Sequence, residues 1–147
     1  MTKTAFYLLS FTWGLPTTLA GCVYAGLQYL RGRRPKKWGY CWYFEYGERY
    51  WGGMSLGIFF FKDKSLGVHI KNHEHGHAVQ NCYFGPLMPF VVAVPSFTRY
   101  WYREYLKRVR HRMPSTPYDS VWFEGQATRL GTELIGWISE RYNSGKK

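Results

Sequence analysis

The sequence predicts an α+β protein with an apolar N-terminal helix, a β-hairpin and two later helices that pack together. Three observations carry this expectation. Residues 5–30 contain no charged side chain, which is typical of a helix that crosses a membrane. Residues 40–46 and 54–61 are rich in the aromatic and apolar side chains that favour strands. Residues 66–84 and 117–142 are bounded by helix start and stop signals.

Length and charge limit the class of protein. A chain of 147 residues is the size of one ordinary domain, so an anchor leaves room for one small core. The net charge of +11 comes from 20 basic against 9 acidic residues, and it favours binding to nucleic acid or to anionic lipid. The three cysteines form no CxxC pair, which argues against a disulfide framework or a cysteine zinc site and favours a reducing compartment.

The N-terminal segment is predicted to be a transmembrane anchor. Its 26 uncharged residues form a helix of about 39 Å, against a hydrocarbon core of about 30 Å. Pro16 is expected to kink this helix. Five basic residues follow it between Arg31 and Lys37, and by the positive-inside rule the rest of the chain is then cytoplasmic. We therefore expect a single-pass membrane protein, with residues 1–37 as anchor and basic flank and residues 38–147 as the folded domain.

Three other interpretations of this segment remain open. A cleaved secretory signal has its charge before a shorter apolar stretch. A lipoprotein cleavage site is suggested by the Leu-Ala-Gly-Cys sequence at residues 19–22, but the chain stays apolar beyond it. A buried helix of an ordinary core is the third possibility, although such helices rarely run so long without charge.

The middle of the chain is expected to form a hairpin and then a helix. Residues 40–46 and 54–61 are predicted to pair antiparallel, joined by a turn at Gly47, Glu48 and Arg49. The Gly52-Gly53 pair suggests either a bulge in a core strand or an edge strand that binds an extended peptide. A helix over residues 66–84 should end at the following Gly-Pro sequence.

Two segments complete the predicted organisation. Residues 84–97 are apolar but contain three prolines, which predicts an interfacial or re-entrant loop. Ser96 is expected to cap a helix to about residue 112 whose mixture of aromatic and basic residues suits the surface of an anionic membrane. The last helix, residues 117–142, is preceded by Thr116 as a cap, and the chain end is expected to fray.

A metal-binding pattern lies on the helix predicted at residues 66–84. His73, Glu74 and His77 match HExxH. Residues four apart lie on one face of a helix, so the two histidines can bind a single ion while Glu74 takes a proton from a water molecule beside it. Glu124, 47 residues after His77, offers a carboxylate from a second helix.

This combination resembles the gluzincin class of zinc metallopeptidases, in which HExxH is followed tens of residues later by Glu-x-x-Ala-Asp. The stretch 72–102 is also similar to small uncharacterised bacterial membrane proteins with HEYGH-like motifs. The resemblance implies a minimal zincin-like domain in which His73, His77 and Glu124 bind Zn²⁺, Glu74 is the general base and water fills the fourth position. Where the pattern has Asp, this chain has Thr128, whose hydroxyl orients a ligand histidine more weakly.

Five other polar residues are considered for roles at or near this site. His69 lies one turn before His73 and is either an extra ligand, a proton shuttle or a neighbour of the ligands. His75 is expected to point away from the ligand face and to pack with Gly76. A peptidase also needs an oxyanion donor. Three residues are available for that role: His111, Tyr118 and Arg129.

Three functions are compatible with these observations. The first is a membrane-anchored zinc metallopeptidase that hydrolyses a peptide or protein substrate near the membrane surface. The second is a catalytically inactive zincin, in which the metal holds two helices of a small domain together. The third is a basic nucleic-acid-binding module, which the sequence supports by charge alone because it contains no recognised nucleic-acid motif. The sequence leaves the oligomeric state open.

Overall fold

A computed structural model describes residues 1–47 and 52–144, and it confirms the predicted α+β class. The chain begins with helices α1 and α2, continues through four strands, and ends with three helices joined by shorter helical turns. The bounds are α1 Lys3–Phe11, α2 Leu15–Leu30, β1 Lys36–Trp38, β2 Cys41–Tyr46, β3 Gly53–Leu56, β4 Phe59–Asp63, α3 Val68–Phe84, α4 Val94–Arg108 and α5 Trp122–Ser144.

The expected single transmembrane helix is wrong, because the apolar segment forms two helices that meet at 90°. No single helix in the described residues is long and apolar enough to cross a membrane, although α1 and α2 together pass that test as a bent pair. The bend lies at residues 12–14, where a Cβ on Gly14 would overlap the Asn81 side chain, and Asn81 donates a hydrogen bond to Gly14 O at 3.2 Å. Pro16 lies in the first turn of α2, where proline is tolerated.

The expected antiparallel pairing of residues 40–46 with 54–61 is also wrong. The sheet order is β1-β2-β4-β3, with β2 parallel to β4 and β3 antiparallel to β4. Residues 54–61 form a hairpin of their own, because Gly57 has a φ of +62° and so permits a tight turn. The predicted turn residues Glu48 and Arg49 lie outside the described residues. Of the tail predicted to fray at residues 143–147, residues 143 and 144 continue the last helix, and the rest lies outside the described residues.

The parallel pair is supported by an ion pair between a buried lysine and a partly exposed glutamate. Glu45 of β2 lies opposite Lys62 of β4, and their charged atoms are 3.2 Å apart. Lys62 is 1% exposed, and its ammonium group also donates to the carbonyl oxygens of Asp63 and Leu66. Burial of a lysine is tolerated here because all of its partners are acceptors.

The sheet carries helices on both faces. On one face Tyr43 and Phe60 join a core with residues of α1, α3 and α5, and on the other Phe44 and Phe61 pack against Ala25 of α2. This alternation of inward and outward side chains along β2 and β4 follows from the two-residue period of a strand. The sheet therefore supports α3 from one side and leaves α5 to cover it from the other.

Helices α3 and α5 approach closely through two glycines. A Cβ on Gly76 would overlap the carbonyl of Ala127, and a Cβ on Gly131 would overlap the carbonyl of Asn72. The absence of side chains at these positions lets the two backbones come together. As a result α5 covers the polar face of α3.

Residues 84–108 continue as one irregular helical segment. A 3₁₀ turn at Gly85–Leu87 and a π-helical turn at Pro89–Ala93 lead directly into α4. The expected cap at Ser96 is wrong, since Ser96 lies inside α4 and its hydroxyl contacts Tyr118 instead. The last helix begins at Trp122, after a 3₁₀ turn at Tyr118–Ser120.

Candidate metal centre

The HExxH helix is enclosed from His73 to Cys82. It ends where Gly85, with a φ of +53°, turns the chain out of the helix. Residues 73–82 are all buried, although many of them are polar. Buried polar groups require partners, and α5 supplies most of those on the face that carries His73 and His77.

His73, His77 and Glu124 lie together in a buried group that can hold a metal ion. His73 Nε2 and His77 Nε2 are 3.1 Å apart. Glu124 Oε2 lies 3.1 Å from the first nitrogen and 3.3 Å from the second. The three side chains therefore direct one donor atom each toward a single point, and they belong to two helices.

The other nitrogen of each histidine is held by the protein. His73 Nδ1 lies 2.8 Å from the Thr128 hydroxyl, which donates its own proton to Asp119, so Nδ1–H must be the donor. His77 Nδ1–H donates to Gln80 Oε1 at 2.7 Å. With a proton on each Nδ1, both Nε2 atoms present a lone pair to the shared point.

Glu74 lies beside the three residues and is not one of them. It is buried, and its Oε2 has no hydrogen-bond partner in the described part of the chain. A Cβ on Gly53, the first residue of β3, would overlap its carboxylate. Glycine at this position therefore allows the last strand of the sheet to touch Glu74.

The ionisable side chains of this group shift one another's pKa values. Burial raises the pKa of Glu74, and the nearby histidines only partly oppose this. Burial lowers the pKa of His77, but hydrogen bonding to Glu124 and the charge of Glu74 outweigh it and raise the pKa above its usual value. Burial also opposes ionisation of Glu124, yet its contacts with His73 and His77 hold its pKa far below the usual range.

Helix α4 covers Tyr118, which lies next to His73. Tyr118 stacks edge-on against His73 with ring centroids 6.3 Å apart, and its hydroxyl lies 3.2 Å from that of Ser96. Burial, followed by the charge of Glu124, raises the pKa of the Tyr118 hydroxyl. The hydroxyl therefore stays protonated near neutral pH and can donate a hydrogen bond.

The other predicted residues lie farther from the three ligands. The His69 side chain is 65% exposed, and its Nε2 is 3.9 Å from Asp119, so it is outside the group. His75 is fully buried on the opposite face of α3, where its ring stacks on Phe6 and its Nε2 accepts from Tyr40 N–H. His111 and Arg129 are exposed, which leaves Tyr118 as the oxyanion candidate beside the site.

Three supporting residues were missed at the sequence level. Gln80 lies one turn after His77, and this spacing is a signal that sequence reasoning can use. Asp119 was considered only as a capping acid, and nothing in its spacing from Thr128 indicates their hydrogen bond. Ser96 was assigned to a helix cap, and its contact with Tyr118 follows from the tertiary structure alone.

No protein family model, no curated protein and no solved structure matches this chain.

Proposed function

We propose that this protein is a zinc-dependent peptidase. The observation that carries the proposal is the position of Glu74, a buried carboxylate beside two histidines and a glutamate, in contact with the edge strand β3. A structural metal site needs only the ligands. A hydrolytic site also needs a proton acceptor that remains free of the metal, and Glu74 suits that role.

Zinc fits the donor set. Atoms bonded at about 2.0–2.1 Å to a tetrahedral zinc ion lie about 3.3–3.4 Å apart, and the three donor atoms here are separated by 3.1–3.3 Å. Two imidazoles and one carboxylate are the ligands of many catalytic zinc sites, which keep the fourth position open. The proton held on each Nδ1 by Thr128 and Gln80 preserves this geometry.

Glu74 and Tyr118 have different roles in the proposed hydrolysis. When bound, zinc would polarise a peptide carbonyl and acidify a water molecule. Glu74 takes the proton of the attacking water and passes it to the leaving amine, because its carboxylate lies beside the three donor atoms and is not one of them. Tyr118, protonated near neutral pH, donates a hydrogen bond to the developing oxyanion.

The edge strand β3 is the proposed binding site for a peptide substrate. In the described residues β3 is the last strand of the sheet and pairs with β4 alone. Its outer edge can add an extended peptide as a further strand. Because Gly53 touches Glu74, such a peptide would lie alongside the proton acceptor.

The test combines metal analysis with a matched pair of variants. The purified full chain should contain about one zinc per chain and hydrolyse an unfolded protein such as casein. Glu74→Gln should keep the zinc and lose at least roughly a hundredfold in rate. Glu140→Gln, at an exposed position of α5, should behave as the wild type. Equal hydrolysis by the wild type and by Glu74→Gln at equal metal content would sink the proposal.

A second candidate, a structural zinc site, is favoured by the burial of the three ligands. His73, His77 and Glu124 are only 5%, 7% and 0% exposed, and they join two helices of a small domain. In that case His77→Ala would lose both zinc and stability, while neither the wild type nor Glu74→Gln would hydrolyse any substrate. The same set of proteins therefore separates the two candidates.

A further inference from the structure

Helix α4 has its polar face turned toward the protein and its apolar face turned outward. None of its residues is buried. Ser96, Arg99 and Arg103, spaced three and four apart, face the turn before α5. Ser96 contacts the Tyr118 hydroxyl, Arg99 donates to the carbonyls of Pro117 and Tyr118, and Arg103 donates to Thr116 O. An amphipathic helix on a soluble domain normally has the opposite orientation.

The opposite side of the same helical segment carries an unbroken row of large apolar side chains, which we call the outer stripe. Its six members recur every three or four residues and are each 48–73% exposed, along about 27 Å of helix. They are Leu87, Phe90, Val94, Phe97, Trp101 and Tyr105. Single exposed apolar residues are ordinary, but a contiguous row marks an interaction surface.

Charge identifies the partner. The segment 94–112 contains six arginines and lysines against one acid, Glu104, and Arg108 continues the spacing of the outer stripe at the end of α4. Between residues 78 and 98 the chain has no charged side chain. Apolar residues along one face, aromatic residues in the middle and cations at the end match the layers of an anionic lipid surface.

We infer that the outer stripe docks in the plane of an anionic phospholipid bilayer. Leu87, Phe90, Phe97 and Trp101 enter the interfacial region, and the cations at the end of α4 lie among the headgroups. The polar contacts of Arg99 and Arg103 remain within the protein.

The bend between α1 and α2 extends this surface. Trp13 donates a hydrogen bond from Nε1 to Tyr83 O at 3.3 Å, and its indole lies against Gly85, two residues before Leu87. Phe11 and Trp13 are 48% and 49% exposed. Trp13 thus places an exposed aromatic side chain next to the start of the helical segment that carries the outer stripe, and aromatic residues of this kind suit an interfacial surface.

The experiment is flotation of the full chain, freed of detergent, with vesicles. One set contains equal parts phosphatidylglycerol and phosphatidylcholine, and the other contains phosphatidylcholine alone. We expect binding to the anionic vesicles that weakens in high salt. Binding requires neither a metal ion nor hydrolysis, so this result stands apart from the test of the peptidase.

Two double variants test the two parts of the surface. Phe97→Ser with Trp101→Ser should lower the partition coefficient roughly tenfold or more. Lys107→Gln with Arg108→Gln should lower it by a similar factor, on anionic vesicles only. The control is Val68→Ser with Met113→Ser, which removes two exposed apolar side chains outside the stripe and should bind as the wild type. All changed positions are exposed, so circular dichroism should be unaltered.

Three results would overturn the inference. The first is a wild-type protein that does not float with anionic vesicles. The second is binding that neither double variant nor salt reduces, which would place the membrane contact on another part of the chain. The third is a wild-type dimer that Phe97→Ser with Trp101→Ser converts to a monomer, which would show that a second copy covers the stripe.

Discussion

Helices α3 and α4 both direct polar side chains inward, yet α3 is covered along residues 73–82 and α4 has no buried residue. In α3 the inward groups bond to each other and to α5, through His73 with Thr128 and His77 with Gln80. In α4 the inward groups satisfy a neighbouring turn and leave the apolar side outside. A polar inner face can therefore indicate either an enclosed site or a helix whose apolar side has its partner elsewhere.

The largest effect is expected from a substitution that separates α3 from α5, because α5 is the helix that encloses the polar face of α3. Gly131→Ala should destabilise the protein by about 3 kcal/mol, because the new Cβ overlaps the backbone of Asn72. Gly136→Ala on the same helix meets nothing within 4 Å and should be neutral or stabilising by up to about 1 kcal/mol. Urea unfolding of both variants gives the comparison. Equal effects would mean that the helices do not approach as described.

Acid should lower the stability of the fold through protonation of His75, which is buried on α3. Burial lowers the pKa of His75 to about 4, against an ordinary value of about 6.5. As the pH falls below about 6.5, His75 becomes protonated in the unfolded chain. In the folded chain it stays neutral until the pH reaches about 4. The contribution of neutral His75 to the free energy of unfolding is therefore fully present above about pH 6.5. It falls by roughly 3 kcal/mol as the pH approaches 4.

His75→Gln keeps an acceptor for Tyr40 N–H but cannot titrate. The free energy of unfolding of this variant, measured against pH beside that of the wild type, should fall less steeply between pH 6.5 and 4. Parallel curves would show that His75 does not carry the acid sensitivity.

The hydrogen bonds to the Nδ1 atoms of His73 and His77 should control the affinity of the candidate site for zinc. Thr128→Val retains the shape of the side chain and removes the acceptor of His73 Nδ1–H. Zinc affinity, measured by competition with a coloured chelator, should fall roughly ten- to a hundredfold. Thr132→Val, at an exposed position of the same helix, is the control. Unchanged zinc affinity in Thr128→Val would show that the Thr128 hydroxyl does not support metal binding.

The smallest effects should distinguish the two faces of α4. Arg99→Met loses hydrogen bonds to the carbonyls of Pro117 and Tyr118 and should cost about 1 kcal/mol, since these bonds are partly exposed to water. Phe97→Ser should change stability by less than about 0.5 kcal/mol, because its side chain is 65% exposed. Thermal unfolding in the absence of lipid measures both. A larger loss for Phe97→Ser would place that residue in a contact within the chain.

Local signals predicted the limits of α3 well and the pairing of the strands poorly. The helix predicted at residues 66–84 is Val68–Phe84, because its limits depend on nearby glycines and proline. The pairing of β2 with β4 instead depends on which of several similar aromatic runs meet in space. Nothing in the alternation of a single strand chooses its partner, and the turn at Gly57 was missed within a continuous apolar run.

The sequence by itself predicted the three residues that can hold a metal ion. Four-residue spacing on a helix places His73 and His77 on one face, and the resemblance to Glu-x-x-Ala selected Glu124. It also determined the charge and the aromatic content of residues 94–112. Only the tertiary structure decided that residues 5–30 bend at Gly14 against Asn81, and that Asp119 supports His73 through Thr128. The tertiary structure also decided that the apolar side of α4 faces outward. These contacts join residues far apart in the chain, so they depend on packing that no local pattern encodes.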